Sequence, residues 1–291
     1  MQNQRNGLKA SIVTFCLSVL FLTTVYAKNI FQLSSSLKEP KSFAKSLDSL
    51  IVNGDNATGS RNFYVSMRIG GVYYIRCGGS IISSYWLITA AHCINRFPPN
   101  DTFVVLGDFT DKKSKKKKVG VEKLIPHKRY PAYRPLFDIG LVKLEKPVPR
   151  WSFQIPLCSS KPPRGRILGT CGLGSTVYET TERPEVLQEA FLWEKQQRMW
   201  LTGLRCPDQT ICAEDIIMDT KLGSGDSGSP LYVMSDDFAC ALGEGVQCLL
   251  GVTTHRRKML FEDDSFQFEM YFASIPYFHK WITKNILQNS Y

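Results

Sequence analysis

From residue 51 onward the chain breaks into short apolar runs: "FYVSMRI" (63–69), "VYYIRC" (72–77), "SIISSYWLITA" (80–90), "TFVVLG" (102–107) and "IGLVKL" (139–144). They mix β-branched and aromatic residues with polar ones, and turn residues separate them at close spacing. Such runs predict strands, and many short strands in succession predict an all-β sandwich or barrel. No internal repeat is evident. One helical pattern stands out near the end, where Phe278, Trp281, Ile282 and Ile286 share a face at i, i+3, i+4 intervals. It predicts a helix packed on a core.

The first 50 residues have a different texture. Arg5 and Lys9 precede the apolar stretch "SIVTFCLSVLFLTTV", and "VYA" ends on the small Ala27. That arrangement predicts an export signal over residues 1–27. An uncleaved anchor is the competing reading, but the apolar stretch is shorter than the roughly 20 residues needed to span a bilayer. Residues 28–50 are rich in Ser and Lys and lack strand alternation, so they read as a loose propeptide. The expected division is therefore 1–27 signal, 28–50 propeptide and 51–291 a single domain.

Charge and cysteines refine this picture. The net charge is +10, and beyond residue 50 there remain 30 Lys/Arg against 24 Asp/Glu, or +6. An exported basic protein more often meets sulfated glycans or acidic surfaces than nucleic acid. Cys16 lies in the signal, and the other eight cysteines form an even set in an exported chain, which favours disulfides over a metal cluster. No zinc-ligand spacing is present. Asn56-Ala-Thr and Asn100-Asp-Thr are sequons that export makes usable for glycosylation.

Three stretches carry candidate chemistry. "LITAAHC" places His92 beside Cys93, "FDIGLVKL" puts Asp138 at the head of an apolar run, and "GSGDSGSP" cages Ser227 in glycines. A buried carboxylate is costly without a partner. A serine hydroxyl is a poor nucleophile unless a base takes its proton. A histidine serves as that base near neutral pH, an aspartate fixes its tautomer, and backbone N–H groups around the serine stabilise an oxyanion. The order His, Asp, Ser is far more specific than any one stretch.

With "IVNG" at Ile51, these stretches resemble the trypsin/chymotrypsin family of serine endopeptidases over residues 51 to about 285. The resemblance implies two six-stranded antiparallel β-barrels, an active-site cleft between them and a C-terminal α-helix. It implies His92 as general base, Asp138 as its orienter, Ser227 as nucleophile, and the N–H groups of Gly225 and Ser227 as the oxyanion hole. It also implies a zymogen, in which cleavage frees the ammonium of Ile51 to pair with Asp226. Leu50 precedes that cut, so a trypsin-like activator is not expected to make it. The implied disulfides are Cys77–Cys93 and Cys206–Cys212. The remaining four cysteines allow three connectivities, of which 158–171 and 240–248 are the expected pair. Leu168 and Val233 stand where the family has a further bridge, and Gly223 where a cysteine ties the specificity pocket.

The primary pocket departs most. Lys221 falls at its floor, where aspartate gives trypsin-like preference for Lys or Arg. Thr254, His255 and Arg256 replace the usual wall, and Met270 stands at a usual glycine. Two readings stay open: Lys221 and Arg256 favour an acidic side chain, or Lys221 snorkels outward while Arg256 and Met270 plug the pocket. "DKKSKKKK" (111–118) is the densest charge block. It is either a solvated loop or, through Lys112–Lys118, a surface for sulfated glycans or acidic proteins. Lysines also fill a loop that binds calcium through carboxylates in some relatives, so no calcium site is expected. The expected whole is a secreted, monomeric serine endopeptidase acting on proteins or peptides. It needs no cofactor or metal and has neither a nucleic-acid nor a membrane partner. A catalytically silent homologue that binds through its cleft or basic loop is the alternative. Esterase-like acyl transfer is weaker, because "GDSGS" lacks the Gly-x-Ser-x-Gly elbow.

Overall fold

The computed structural model describes residues 55–57, 61–70, 75–131, 136–161, 166–175, 184–194, 206–215, 222–233, 247–260 and 266–290. These lie in the compact unit Asp48–Tyr291. Ile51, Lys221 and Cys240 fall outside the described residues.

After a two-residue strand, β1 (Asp55–Asn56), six strands close a first barrel. They are β2 (Tyr64–Ile69), β3 (Ile75–Ile81), β4 (Trp86–Thr89), β5 (Thr102–Leu106), β6 (Lys117–Pro126) and β7 (Gly140–Leu144). Their order around the barrel is β2-β3-β4-β7-β6-β5. The alternation read from the sequence is what closes it. In β5, Thr102, Val104 and Leu106 are buried while Phe103 and Val105 are half-buried. A strand with one inward face can lie on a barrel wall, and closure leaves no unpaired edge. A single turn of helix, α1 (Ala91–Ile94), follows β4.

The second barrel is built from β8 (Ile167–Gly172), β9 (Gln188–Glu194), β10 (Thr210–Asp215), β11 (Pro230–Val233), β12 (Cys248–Leu260) and β13 (Phe266–Ser274). They run in the order β9-β10-β13-β12-β11-β8, and pairing of β8 with β9 shuts the ring. β1 adds to β9 outside it. All pairings between strands of both barrels are antiparallel, as expected. β9 carries Gln188 and Glu189 inward, and both are satisfied. Arg61 Nε and Nη2 donate to Glu189 Oε1 at 2.9 and 2.7 Å, and the Tyr232 hydroxyl donates to the same oxygen. Gln188 donates to Asn56 Oδ1 at 2.9 Å. Burying that carboxylate is tolerable because its donors are buried with it.

The cysteines correct one expectation. Cys77–Cys93 and Cys206–Cys212 are bonded, but Cys158 bonds to Cys248 rather than to Cys171, so Cys248 is not available to Cys240. The segment before β8 lies along the start of β12, where the Cys158 N–H donates to Leu249 O at 2.9 Å and Leu249 N–H to Pro156 O at 2.8 Å. That pairing brings the two sulfurs together. Cys171 is a free thiol buried in the core. Burial first, then the nearby Glu189, pushes it well above the usual thiol range, which makes it inert as a nucleophile. Leu168 and Val233 sit opposite each other across β8 and β11, both buried, so an apolar pair fills the place of a bridge.

The expected C-terminal helix is α2 (Ile275–Gln288), with Pro276 in its first turn. It buries Phe278 and Ile282 and packs Trp281 and Ile286 partly against the first-barrel core. His127 sits among Phe137, Phe278 and Trp281, with ring centroids 5.2, 5.4 and 4.8 Å away. Its Nδ1 accepts the Arg129 N–H at 3.2 Å, so that nitrogen carries no proton. Burial, with Arg129 and Lys128 alongside, pushes His127 down to about 4 from 6.5. Unfolding restores the higher value, so the unfolded chain binds an extra proton between these limits. The contribution to stability is full above pH 6.5 and is lost as pH falls toward 4. Unfolding free energies measured from pH 7.5 to 4 should fall less steeply in His127→Gln than in the parent chain. Parallel curves would show that His127 does not set the slope.

Candidate active site

Asp138 is 3% exposed and lies just ahead of β7. Its Oδ1 accepts the backbone N–H of His92 at 2.8 Å and its Oδ2 accepts the ring Nδ1 at 2.7 Å. Because a carboxylate only accepts, Nδ1 carries the hydrogen, and Nε2 is left with its lone pair. One carboxylate thus fixes both the ring orientation and the start of α1. The residue before it, Phe137, has φ 56°, a left-handed backbone that is strained for a side chain of this size. Packing holds it there. The ring stacks on His127, the Arg129 guanidinium lies 4.0 Å from its centroid, and the Ile139 N–H donates to Phe137 O at 2.9 Å.

Ser227 arrives from the second barrel. Gly78 N–H of β3 donates to Ser227 O at 2.8 Å, and that oxygen is 3.9 Å from Cys93 Sγ. The serine segment therefore lies against the disulfide next to His92. Among the described residues no hydrogen bond joins the Ser227 hydroxyl to the imidazole. Two glycines permit the approach. A Cβ on Gly78 would come within 2.2 Å of Ser229 Oγ, and one on Gly228 (φ 82°) within 2.2 Å of Thr89 Oγ1 and 2.3 Å of Gly78 O. Gly225 is also left-handed, at φ 104°. Among the described residues neither Gly225 N–H nor Ser227 N–H has an internal acceptor.

Asp226 is 1% exposed. Its Oδ1 accepts Gly174 N–H at 2.8 Å and its Oδ2 accepts Gly223 N–H at 2.7 Å. The carboxylate so clamps the loop on both sides of the serine segment. Ile51, its expected partner, is outside the described residues.

Beside Ser227 opens a cleft of about 180 Å³, lined by Leu222, Ser224, Thr254, His255 and Arg256 among others. Met270, expected in its wall, does not line it. It is fully buried in the second-barrel core with Leu222 and Phe272, directly opposite Arg256 across the strand pair. Arg256 Nη1 donates to the Leu222 carbonyl. His255, which the sequence placed only in an altered wall, stacks on Tyr271 with centroids 4.3 Å apart. Burial lowers its pKa, with His92 adding to the shift and Asp138 opposing it, so this ring belongs to the same electrostatic neighbourhood. The sequence signal was its place three residues after the glycine-valine pair of β12.

In the basic loop, Lys112 pairs with Glu185 at 2.8 Å, and Lys118 Nζ lies 3.7 Å from the Phe103 centroid. Lys116 turns inward, its ammonium donating to the carbonyls of Asp108, Asp111 and Ser114 at 2.6, 2.9 and 3.0 Å. A cation of the chain itself thus ties the loop. A cavity of about 420 Å³ beside it is lined by Lys115, Lys116, Lys117 and Trp151, among others. Asn56 and Asn100 are both exposed. Cys77, His92 and Cys93 cluster within 4.8 Å, but both sulfurs are spent in a disulfide and are not metal ligands. Among the described residues no helix is long and apolar enough to cross a membrane.

Two closed antiparallel barrels, a C-terminal helix and a His–Asp pair with a glycine-caged serine at the seam define the trypsin class of fold. The family model described as Trypsin matches residues 51–282, and the chain belongs to that family. It is similar to transmembrane protease serine 9 of Rattus norvegicus, with 29% identity over 199 residues. That match covers 64% of this chain and 18% of the relative's length.

The left-handed backbone and two close contacts at Gly228 make its replacement costly. Gly228→Ala should lose at least about 2 kcal/mol of unfolding free energy in denaturant titrations. A loss within experimental error would mean the serine segment can shift without strain.

Proposed function

We propose that this chain is a secreted serine endopeptidase, made as a zymogen, with a primary specificity other than for Lys or Arg. The observation that carries the reading is the two-point hold of Asp138 on His92, which leaves Nε2 as a base at the seam where Ser227 arrives. In the reaction Ser227 Oγ attacks the scissile carbonyl and its proton passes to His92 Nε2. Asp138 stabilises the imidazolium, and the N–H groups of Gly225 and Ser227 receive the oxyanion. Collapse expels the amine with the proton from His92, and water repeats the sequence on the acyl-enzyme. The bond between Ser227 and His92 is expected to tighten with substrate bound, as catalytic hydrogen bonds commonly do.

Activation by cleavage at Leu50–Ile51 would deliver an ammonium to Asp226, whose burial suits an ion pair that is fully hydrogen-bonded. The export signal at 1–27 supports secretion, and exposed Asn56 and Asn100 suit glycosylation. A second reading, a silent homologue that binds partners through its cleft or basic loop, is favoured by one observation: the Arg256 side chain reaches the Leu222 carbonyl at the cleft.

Labelling with a fluorophosphonate probe after cleavage at Leu50–Ile51 separates the two. The peptidase should label at Ser227, Ser227→Ala should not label, and Asp138→Asn should label about 10⁴-fold more slowly. No labelling of the cleaved parent chain would establish the silent homologue.

The lysine loop is read as a surface for sulfated glycans or acidic proteins. Since Lys116 holds the loop together, the informative variant replaces Lys113, Lys115, Lys117 and Lys118 with Gln and keeps Lys116. It should elute from heparin at clearly lower salt, because each lost ionic contact lowers the salt dependence of binding. Elution at the parent's salt concentration would remove the glycan assignment.

A further inference from the structure

The cleft beside Ser227 has an interior and a mouth of different chemistry. Its interior is closed by the second-barrel core, where Leu222 is 4% exposed and Met270 fully buried, packed with Ala213 and Phe272. The remaining space, about 180 Å³, is smaller than the roughly 300–1,000 Å³ of ordinary small-molecule pockets. It leaves no room for a long basic side chain or an aromatic ring.

The mouth carries Arg256. Its side chain runs from β12 to the Leu222 carbonyl, and the guanidinium lies 5.1 Å from the Phe268 centroid. Packing against a ring and a carbonyl holds the planar group in one orientation, which favours paired hydrogen bonding to a planar anion. Arg257, the next residue, is exposed and adds charge of the same sign outside the cleft. Among the described residues no carboxylate lines the cleft to offset this charge. The two nearby acids are engaged elsewhere: Asp138 faces His92, and Asp226 faces the Gly174 and Gly223 amides. Thr254 Oγ1 donates to Tyr271 O at 2.9 Å and lies 2.9 Å from His255 Nδ1, so the remaining polar wall is internally bonded.

We infer that Arg256 reads a carboxylate on the residue immediately before the scissile bond, so that substrates are cut after Asp or Glu, with the shorter Asp preferred by the shallow floor. The inference rests on the peptidase reading above and names its substrate class. A carboxylate entering the mouth gains charge-assisted hydrogen bonds in a partly water-excluded site, whereas Lys or Arg meets like charge there. An uncharged isostere makes neither contact.

The test uses the full chain cleaved at Leu50–Ile51 and peptides that differ only before the scissile bond: Asp, Glu, Asn, Ala or Lys. We expect kcat/KM for Asp to exceed that for Asn by about tenfold or more, with Lys the poorest. Arg256→Gln should bring the Asp/Asn ratio close to one, and Arg256→Lys should retain part of it. The Lys variant also covers a Gln variant that fails to fold. A ratio near one in a parent chain that labels at Ser227 overturns this inference and leaves the peptidase reading intact. A high ratio that survives in Arg256→Gln overturns it too. Failure of the parent to label removes the peptidase reading, and this inference with it.

Discussion

A carboxylate that is 3% exposed must find donors inside the protein or surrender its charge. Asp138 finds both from one residue, the backbone and the ring of His92. That economy has structural consequences. A four-residue helical turn such as α1 has no stability of its own, so its geometry is set from outside. The carboxylate holds its first N–H groups, the Cys77–Cys93 bond ties it to β3, and Ile94 presses on Gly140, where a Cβ would come within 2.5 Å. The imidazole therefore stands on a closed barrel rather than on a loop, and its free nitrogen points where the barrel's walls direct it.

The serine segment is fixed by the same logic from the other side. Asp226 is a second buried carboxylate whose donors are backbone amides, and the chain around it is stitched to both barrels. Gly78 N–H reaches Ser227 O from the first barrel. Gly228 N–H reaches Thr253 O, and Thr253 N–H reaches Ser229 O, within the second. A nucleophile held between two rigid sheets has little freedom to drift from its base, and positioning of that kind is where much of a catalytic advantage arises. The glycines at 78 and 228 are the steric condition for this closeness.

The first barrel was legible in the sequence because its strands obey the rule that one face is apolar: β5 and β7 read directly as "TFVVL" and "GLVKL". The second barrel was not legible from alternation. β9 carries Gln188 and Glu189 inward, and their partners, Asn56 and Arg61, lie more than 120 residues away in the chain. Its strands came from resemblance alone. The His–Asp pairing was legible as a motif, since the residue types and their order are specific. The Cys158–Cys248 bond was not, because connectivity depends on which segment lies along β12, a tertiary fact that no local spacing carries. Phe137 gave no signal either, because its left-handed backbone is imposed by aromatic packing around His127.

The cleft shows how stability and selectivity compete for the same space. Filling an interior with Leu222 and Met270 removes apolar area from water and stabilises the fold, by roughly 1.5–3 kcal/mol for each fully buried side chain. The same atoms abolish the depth that would measure a substrate's side chain by shape. Discrimination by shape is modest in any case, about 1–3 kcal/mol per methylene in an apolar pocket. Once the floor is closed, shape has little left to measure. What remains is the chemistry of the rim, and there the dominant group is a cation held against Phe268 and the Leu222 carbonyl. Selectivity in such a site follows the sign of charge on the substrate before it follows size.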